Sequence, residues 1–293
     1  MPDDRYVLAR SSSWPAPRSS HSPQPRISVV IPTLNEALNL PHVFARLPRG
    51  LEVIVVDGGS TDDTVNVART LRPDVRIIRQ DRRGKGNALA CGFAAATGDI
   101  MVTLDADGSA DPAEIPRFVA ALLDQADFAK GTRYSAGGGS SDITRVRSAG
   151  NLMLNSFVNL LFGTRYTDLC YGFNAFWRHC LDHIVVDCDG FEVETLINIR
   201  VARAGLRVTE VPSFESNRIH GSSNLRTFRD GGRVMHTILR ERVRPFRLRA
   251  PAPSGSSNGT TRLGANGNGN SEATLSGAAP QWAASRVDNF PDT

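Results

Sequence analysis

The chain has 293 residues, of which 40% are hydrophobic, so it can bury a substantial core in one large domain or two small ones. A net charge of +4 is too small to predict nucleic-acid binding, although it suits an anionic substrate or a membrane surface. The four cysteines show neither zinc-site spacing nor clustering with histidine, which favours a reduced protein. No apolar run reaches the roughly 20 residues that span a bilayer, and the first residues lack the apolar core of a signal peptide. We therefore expect a cytoplasmic protein.

Composition divides the chain into three parts. Residues 1–25 are rich in Ser, Pro and Arg, and the chain after about residue 250 is rich in Ser, Gly, Asn and Ala. Segments of this kind bury too little apolar surface to fold, so we predict disorder over 1–25 and 246–293. Residues 26–245 then form a single domain of ordinary size.

Within that domain, short apolar runs alternate with helical patterns. The predicted strands are Ile27–Pro32, Leu51–Asp57, Val75–Gln80 and Asp99–Asp105. Between them lie three predicted helices: one begun by Asn35 and bent or delayed by Pro41, one over Asp62–Leu71 with acids in its first turn, and one ending at Gly98. This order predicts an α/β fold with a mostly parallel central sheet flanked by helices. In such sheets ligands bind beyond the carboxyl ends of the strands, where Asp57 and Asp105 lie.

Two common phosphate-binding loops are missing from this sequence. The first strand ends in IPTLNE without a glycine, and RRGKGN lacks the first glycine and the final hydroxyl of a P-loop. Phosphates can instead be neutralised by a divalent metal held on carboxylates. Asp105 and Asp107, separated by the small Ala106, can turn toward one Mg²⁺ or Mn²⁺ ion, whose charge would remove their mutual repulsion. The alternative for these acids is a solvated loop with helix-capping carboxylates, and for Asp111, before Pro112, we predict this capping role rather than metal binding.

The D-A-D motif and the other motifs around it, taken in chain order, resemble those of the family 2 glycosyltransferases, which have the GT-A fold. The later motifs resemble the branch that contains dolichol-phosphate mannosyltransferase and polyprenyl-phosphate glycosyltransferases. In chain order the matching stretches are PTLNE, VVDGGSTDDT, GKGNAL, LDADG, KGTRY, RVRSAGN, DLCYGFNAFWR, GFEVETL, EVPSFESNR and GSSNL. The resemblance implies a Rossmann-like nucleotide-binding half joined to an acceptor half, a nucleoside-diphosphate sugar as donor, and Mg²⁺ or Mn²⁺ as cofactor.

The resemblance also assigns roles on the donor side. Pro32 and Glu36 would border the base and ribose, and Asp57 would bond the base. Asp105 and Ala106 would contact the sugar nucleotide, and Asp105 and Asp107 would hold the metal. A helix-terminal acid is the alternative for Glu36. Lys85 lies between two glycines, where backbone can approach a ligand closely, and it either neutralises phosphate or belongs to a solvated basic loop.

The same resemblance implies that three arginines bind the donor or acceptor phosphate: Arg133, Arg147 and Arg218. Guanidinium groups suit phosphate oxygens. A carboxylate salt bridge is the alternative for Arg147, and a solvated loop for Arg218. A lipid phosphate is already an anion and needs no strong base, whereas a hydroxyl acceptor does. The candidates for that base are Asp168, which could instead hold a loop, and the helix-start acids Glu192 and Glu194.

The acceptor half contains two further helices. Ser148–Gly163 is apolar on most faces, so it packs in a core or, as in the lipid branch, forms part of an acceptor side. Arg229–Arg249 predicts a basic amphipathic surface helix, which would place the protein peripherally at the inner membrane face.

Some positions depart from the pattern of the lipid branch. Ser109 stands where relatives often carry a stronger polar ligand, and Asn224 replaces a lysine. These departures weaken the case for a lipid acceptor, but the resemblance still implies metal-dependent, inverting transfer of a hexose from a donor of the GDP-mannose or UDP-glucose type to polyprenyl or dolichyl phosphate. Transfer to a hydroxyl of a soluble or polysaccharide acceptor is the alternative, and a non-catalytic sugar-nucleotide-binding protein is an alternative of another class.

Overall fold

The computed structural model describes residues 24–222 and 225–245. The predictions of disorder for 1–23 and 246–293 lie outside these residues, as does Asn224. The strands are β1 (Ile27–Thr33), β2 (Glu52–Asp57), β3 (Arg76–Arg79), β4 (Ile100–Thr103), β5 (Phe128–Thr132), β6 (Gly139–Ser140), β7 (Asn174–Trp177), β8 (Val208–Pro212) and β9 (Phe214–Glu215). The α-helices are α1 (Leu40–Arg46), α2 (Thr64–Leu71), α3 (Lys85–Ala95), α4 (Ile115–Leu123), α5 (Arg145–Phe162), α6 (Val193–Arg203) and α7 (Thr227–Val243).

Seven of these strands form one mixed sheet, in the order β3-β2-β1-β4-β7-β5-β8. Strands β1 to β4 are parallel, and so are β5 and β8, but β7 runs antiparallel to both of its neighbours. The prediction of a mostly parallel sheet is confirmed. Because β2 and β4 flank β1 on opposite sides, the carboxyl end of β1 is a topological switch point, where α/β sheets bind ligands.

The central strands are buried on both faces, as their continuous apolar sequences predict. Val29 and Ile31 pack with α1, α2 and α4, while Val30 points to the other face and packs with α3 and α6. A separate apolar cluster joins α5, α6 and α7 and contains Leu154 and Val158. The sheet is thus a rigid base whose carboxyl edge faces α5 and α7.

Several predicted boundaries need correction. Asn35 has a left-handed backbone (φ 58°) and begins no helix; α1 starts at Leu40, which places Pro41 in the first turn, where its missing N–H costs nothing. The acids predicted inside the first turn of α2 precede that helix instead. Helix α3 ends at Ala95, before Gly98, and β4 ends two residues before Asp105.

Candidate active site

A cavity of 1210 Å³ lies at the carboxyl ends of β1, β4 and β5 and extends to α5 and α7. Most of the predicted site residues line it, although they come from distant parts of the sequence. The lining includes Pro32, Glu36, Lys85, Asp105, Ala106, Asp107, Arg133, Arg147 and Arg218. Asp57 and Asp168 are absent from the lining. The motifs quoted from the sequence therefore converge on one site.

Asp105 is held by a lysine in this structure. The Lys85 ammonium lies 2.6 Å from Asp105 Oδ1 and 2.6 Å from Glu194 Oε1. The Asp105 side chain is 39% exposed, whereas Glu194 is buried. Burial alone would lower the pKa of Lys85, but the two carboxylates outweigh burial and raise that pKa, so the ammonium stays charged.

Asp107 is held by an arginine and by its own loop. Arg218 Nη2 lies 3.3 Å from Asp107 Oδ2, and Arg218 Nη1 lies 2.9 Å from Glu36 Oε1. Ser109 donates to Asp107 Oδ1 from its backbone N at 3.0 Å and from its hydroxyl at 2.7 Å. Ser109 thus orients Asp107. Because Asp105 pairs with Lys85 and Asp107 pairs with Arg218, the charge of each carboxylate is balanced by a different cation.

The two aspartates fit a divalent ion. They offer the hard oxygen donors that Mg²⁺ and Mn²⁺ prefer, and an ion there would compete for these oxygens with Lys85 and Arg218. Within residues 24–222 and 225–245, no group of three or more His, Cys, Asp or Glu side chains could hold a metal ion. An ion at Asp105 and Asp107 would therefore complete its coordination with substrate phosphate oxygens and water.

Arg133 is buried and its guanidinium is occupied by carboxylates. Its Nε and Nη2 donate to the two oxygens of Asp168 at 2.7 and 2.9 Å, and its Nη1 donates to Glu215 at 2.9 Å. The guanidinium carbon also lies 5.0 Å from the centre of the Tyr171 ring. This arrangement ties the end of β5 to strand β9 and to the loop that contains Asp168, and it differs from the phosphate contact predicted for Arg133.

Asp168 is fully buried behind Arg133. Burial alone would raise the pKa of Asp168, but the hydrogen bonds and charge of Arg133 outweigh burial and lower that pKa. A general base must reach the acceptor and take up a proton near the working pH. The position does not support the predicted role as a base; it matches the alternative, in which Asp168 holds a loop and accepts the backbone N–H of Arg133.

Two further predicted residues have partners within the protein. Asp57 ends β2 and accepts backbone N–H groups from Gly59 and Ser60 at 3.0 and 3.2 Å, which shapes the loop beside the cavity. Arg147 lies at the start of α5 and pairs with Asp142 at 3.0 Å. The salt bridge considered as an alternative for Arg147 is therefore present, although its side chain also lines the cavity.

Helix α7 contributes residues that the motifs did not indicate. Arg226, Arg229 and Arg233 line the cavity from this side, and Phe228 is 89% exposed. On α5, the apolar side chains Val146, Leu152, Met153 and Leu160 are also exposed. The sequence indicated a basic amphipathic helix here, but the pattern did not show that α7 faces the cavity.

The glycines around Lys85 have a structural reason other than the predicted approach to a ligand. A Cβ at Gly84 would lie 2.1 Å from the carbonyl oxygen of Asp189, and one at Gly86 would lie 2.3 Å from that of Cys188. Gly86 N also donates to Asp189 O at 2.9 Å. The start of α3 therefore packs directly on the segment before α6, which brings Lys85 to Glu194.

Gly86→Ala is expected to destabilise the protein by about 1–3 kcal/mol, because the added methyl meets backbone that cannot turn aside. Thermal unfolding measures the change. Gly150→Ala on α5 is the matched control, since nothing lies within 4 Å of its Cβ position. That variant is expected to gain about 0.5–1 kcal/mol from reduced backbone freedom in the unfolded chain. Equal unfolding temperatures for the two variants would contradict the close packing of α3.

Comparison with known proteins identifies the family. Residues 28–185 match the model of glycosyl transferase family 2. The chain belongs to this family. An uncharacterized glycosyltransferase of Mycobacterium tuberculosis is 34% identical over 200 residues, which cover 68% of this chain and 89% of that protein. Polyprenol monophosphomannose synthase of Mycolicibacterium smegmatis is 33% identical over 217 residues, with coverages of 69% and 82%. Dolichol-phosphate mannosyltransferase of Pyrococcus furiosus is 31% identical over 212 residues, with coverages of 69% and 59%.

Solved structures agree with this assignment. Glucosyl-3-phosphoglycerate synthase of M. tuberculosis, bound to Mn²⁺, UDP and glucosyl-3-phosphoglycerate, has a TM-score of 0.61 and 28% identity, covering 76% of this chain and 82% of its own. The same synthase bound to Mg²⁺ and UDP has a TM-score of 0.60, 26% identity and coverages of 76% and 81%. The fold is therefore GT-A, and the protein is a glycosyltransferase; the non-catalytic alternative is not supported.

Proposed function

We propose that this glycosyltransferase moves a hexose from a nucleoside-diphosphate sugar to polyprenyl phosphate, with inversion at the anomeric carbon and with Mg²⁺ or Mn²⁺ as cofactor. The observation that carries the proposal is the division of one cavity into two chemical halves. The half at the sheet edge contains Asp105 and Asp107, with Lys85 and Arg218 beside them. The other half, between α5 and α7, combines arginines with exposed apolar side chains.

The donor half suits a sugar nucleotide. The bound metal would stabilise negative charge on the departing diphosphate. The carboxylates of Asp105 and Asp107 would hold the metal, and Lys85 and Arg218, whose positive charges already lie beside them, would face the diphosphate oxygens. Pro32 and Glu36 line the wall where the base and ribose would lie, next to the loop shaped by Asp57. This set positions the leaving group before transfer.

The acceptor half suits an anion attached to an apolar chain. Arg147, Arg229 and Arg233 would bind the phosphate, while the exposed Phe228 and the apolar face of α5 would contact the lipid or the membrane surface. A phosphate oxygen can attack the anomeric carbon without losing a proton. The absence of Asp168 from the cavity lining is compatible with such an acceptor. No helix in residues 24–222 or 225–245 is long and apolar enough to cross a membrane.

Arg229→Gln is expected to lower transfer to polyprenyl phosphate by about tenfold, the value of one lost charge-assisted hydrogen bond, and to leave binding of the donor unchanged. Arg242→Gln, on the same helix but outside the cavity lining, is the matched control and should retain full activity. Label transferred from a radioactive sugar nucleotide into the organic phase measures the rate. Equal losses in both variants would contradict an acceptor site on α7.

A hydroxyl acceptor is the second candidate. It is favoured by the likeness to glucosyl-3-phosphoglycerate synthase, whose solved complex contains glucosyl-3-phosphoglycerate. The deciding assay offers UDP- and GDP-sugars with Mn²⁺ either to a short polyprenyl phosphate or to 3-phosphoglycerate. Label that enters organic solvent, and is lost with EDTA, supports the lipid phosphate. Label that stays in a water-soluble product overturns the lipid acceptor and favours the hydroxyl.

A further inference from the structure

Three charged side chains converge over one glycine in the donor half. A Cβ at Gly172 would lie 2.8 Å from Lys85 Nζ, 3.2 Å from Glu194 Oε1 and 3.3 Å from Asp105 Oδ2. The absence of a side chain at Gly172 thus leaves room for the contacts of Lys85 with both carboxylates. Glu194 has no role in the donor site as described so far, yet it is buried and lines the cavity.

The two carboxylates that bind Lys85 are not equivalent. Asp105 is 39% exposed on a loop, while the Glu194 side chain is 6% exposed in the first turn of α6. The start of α3 is fixed to the segment before α6 by the close approach at Gly84 and Gly86. Lys85 and Glu194 therefore sit on two elements packed against each other, whereas Asp105 is the more exposed partner and lies on a loop.

This difference matters when a cation reaches Asp105. A buried ammonium that loses its only carboxylate partner becomes an unpaired buried charge, which is strongly unfavourable. Glu194 lies 2.6 Å from Lys85, so the ammonium would stay paired if Asp105 turned away. Lysine has three N–H donors, so the donor released from Asp105 becomes available toward the cavity.

We propose that Glu194 is a positioning residue: it retains the Lys85 ammonium when a divalent cation takes Asp105, and the N–H released from Asp105 then binds an anionic oxygen of the nucleoside diphosphate. This inference rests on the proposed donor site. It explains why an acid in the first turn of α6 is buried against Lys85 rather than exposed at the helix end, where the helix dipole alone would stabilise it.

The test uses the dissociation constants of UDP and GDP, measured by calorimetry at saturating Mn²⁺ in the full chain. Glu194→Gln adds one unit of positive charge to the site, so a purely electrostatic role for Glu194 predicts tighter binding of the diphosphate. Positioning predicts weaker binding, by about tenfold for one misplaced charge-assisted hydrogen bond. Binding that is unchanged or tighter in Glu194→Gln would overturn the inference.

Gly172→Ala tests the same contact without changing any charge. Its methyl meets the flexible end of Lys85, so the chain can fold with the ammonium displaced. It should weaken diphosphate binding by about tenfold as well. Gly150→Ala, in the same cavity but with nothing within 4 Å of its Cβ, should bind as the unmodified protein does. If Glu194→Gln does not fold, Gly172→Ala decides alone, and unchanged binding overturns the proposal.

Lys85→Met separates positioning from general support of the fold. Binding of Mn²⁺ alone, followed by its electron paramagnetic resonance signal, should be equal or tighter because a competing cation has gone. Diphosphate binding should fall about tenfold, with no further loss in Lys85→Met/Glu194→Gln. Additive losses would overturn the inference. Failure of the unmodified protein to bind either nucleotide would overturn the donor site itself, whereas normal binding with unaffected variants overturns only the role of Glu194.

Discussion

Asp107→Asn is expected to lower glycosyl transfer by about three orders of magnitude while the protein stays folded. The substitution replaces a carboxylate that would hold the metal by a neutral amide. A metal held there would stabilise charge on the leaving diphosphate by several kcal/mol, and each 1.36 kcal/mol is about a factor of ten in rate. Release of nucleoside diphosphate from the sugar nucleotide measures the rate, and calorimetry with Mn²⁺ measures the loss of metal affinity.

Asp111→Asn is the matched control because it changes an aspartate only four positions along the chain. Asp111 accepts a hydrogen bond from Ala113 N at 2.9 Å and pairs with Arg46, as its predicted capping role requires. Because asparagine caps a helix about as well as aspartate, Asp111→Asn should lose only the partly exposed ion pair with Arg46, which is below about 1 kcal/mol of stability, and little activity. Full activity of Asp107→Asn, with unchanged Mn²⁺ affinity, would show that the metal does not bind there.

Asp168→Asn is expected to lower the free energy of unfolding by about 3–5 kcal/mol, because removing one partner of a buried ion pair leaves the other charge uncompensated. The amide nitrogen would also face donors of Arg133, which now bind both carboxylate oxygens. For a domain of this size, each kcal/mol shifts the unfolding temperature by about 2–4 °C. A general base would behave differently, with lost activity at an unchanged unfolding temperature.

Asp142→Asn provides the matched control for this pair. Asp142 also binds an arginine, Arg147, but both side chains are partly exposed, so the loss should stay below about 1 kcal/mol.

The dependence of unfolding on acidic pH provides a second measurement of the Asp168 pair. Because the pKa of Asp168 is lowered in the folded state, its stabilising effect is present above the ordinary aspartate pKa of about 3.9 and is lost as the pH falls below that value. Asp168→Asn should remove this part of the acid sensitivity.

The fold could be predicted where local pattern decides the structure. Continuous apolar runs such as Ile27–Pro32 predicted strands buried on both faces, and their alternation with helices predicted the parallel half of the sheet. The antiparallel strand β7 could not be read in this way, because its pairing with β4 and β5 depends on contacts between distant segments. The prediction that Asn35 begins a helix was wrong because asparagine, a good capping residue, also adopts the left-handed backbone found here.

The sequence predicted most residues of the candidate site, but it missed Arg229 and Arg233 on α7 and did not show which charged side chains pair with each other. Acids after strands and the resemblance located Asp105 and Asp107 at the cavity, since the ends of parallel strands meet at one edge. The sequence did not show that Arg133 is bound by Asp168 and Glu215, because such pairs depend on burial and on side-chain direction. The contact between Lys85 and Glu194, two residues 109 positions apart, also depends on tertiary packing.

The most direct test of the account is the metal dependence of donor turnover. Purified protein is given UDP- or GDP-hexose with polyprenyl phosphate, and release of nucleoside diphosphate is followed with Mn²⁺, with EDTA, and after Mn²⁺ is restored. We expect that turnover of one donor stops with EDTA, returns with Mn²⁺ and is about a thousandfold slower in Asp107→Asn. Turnover that persists with EDTA and in Asp107→Asn would contradict a metal-dependent transferase centred on Asp105 and Asp107.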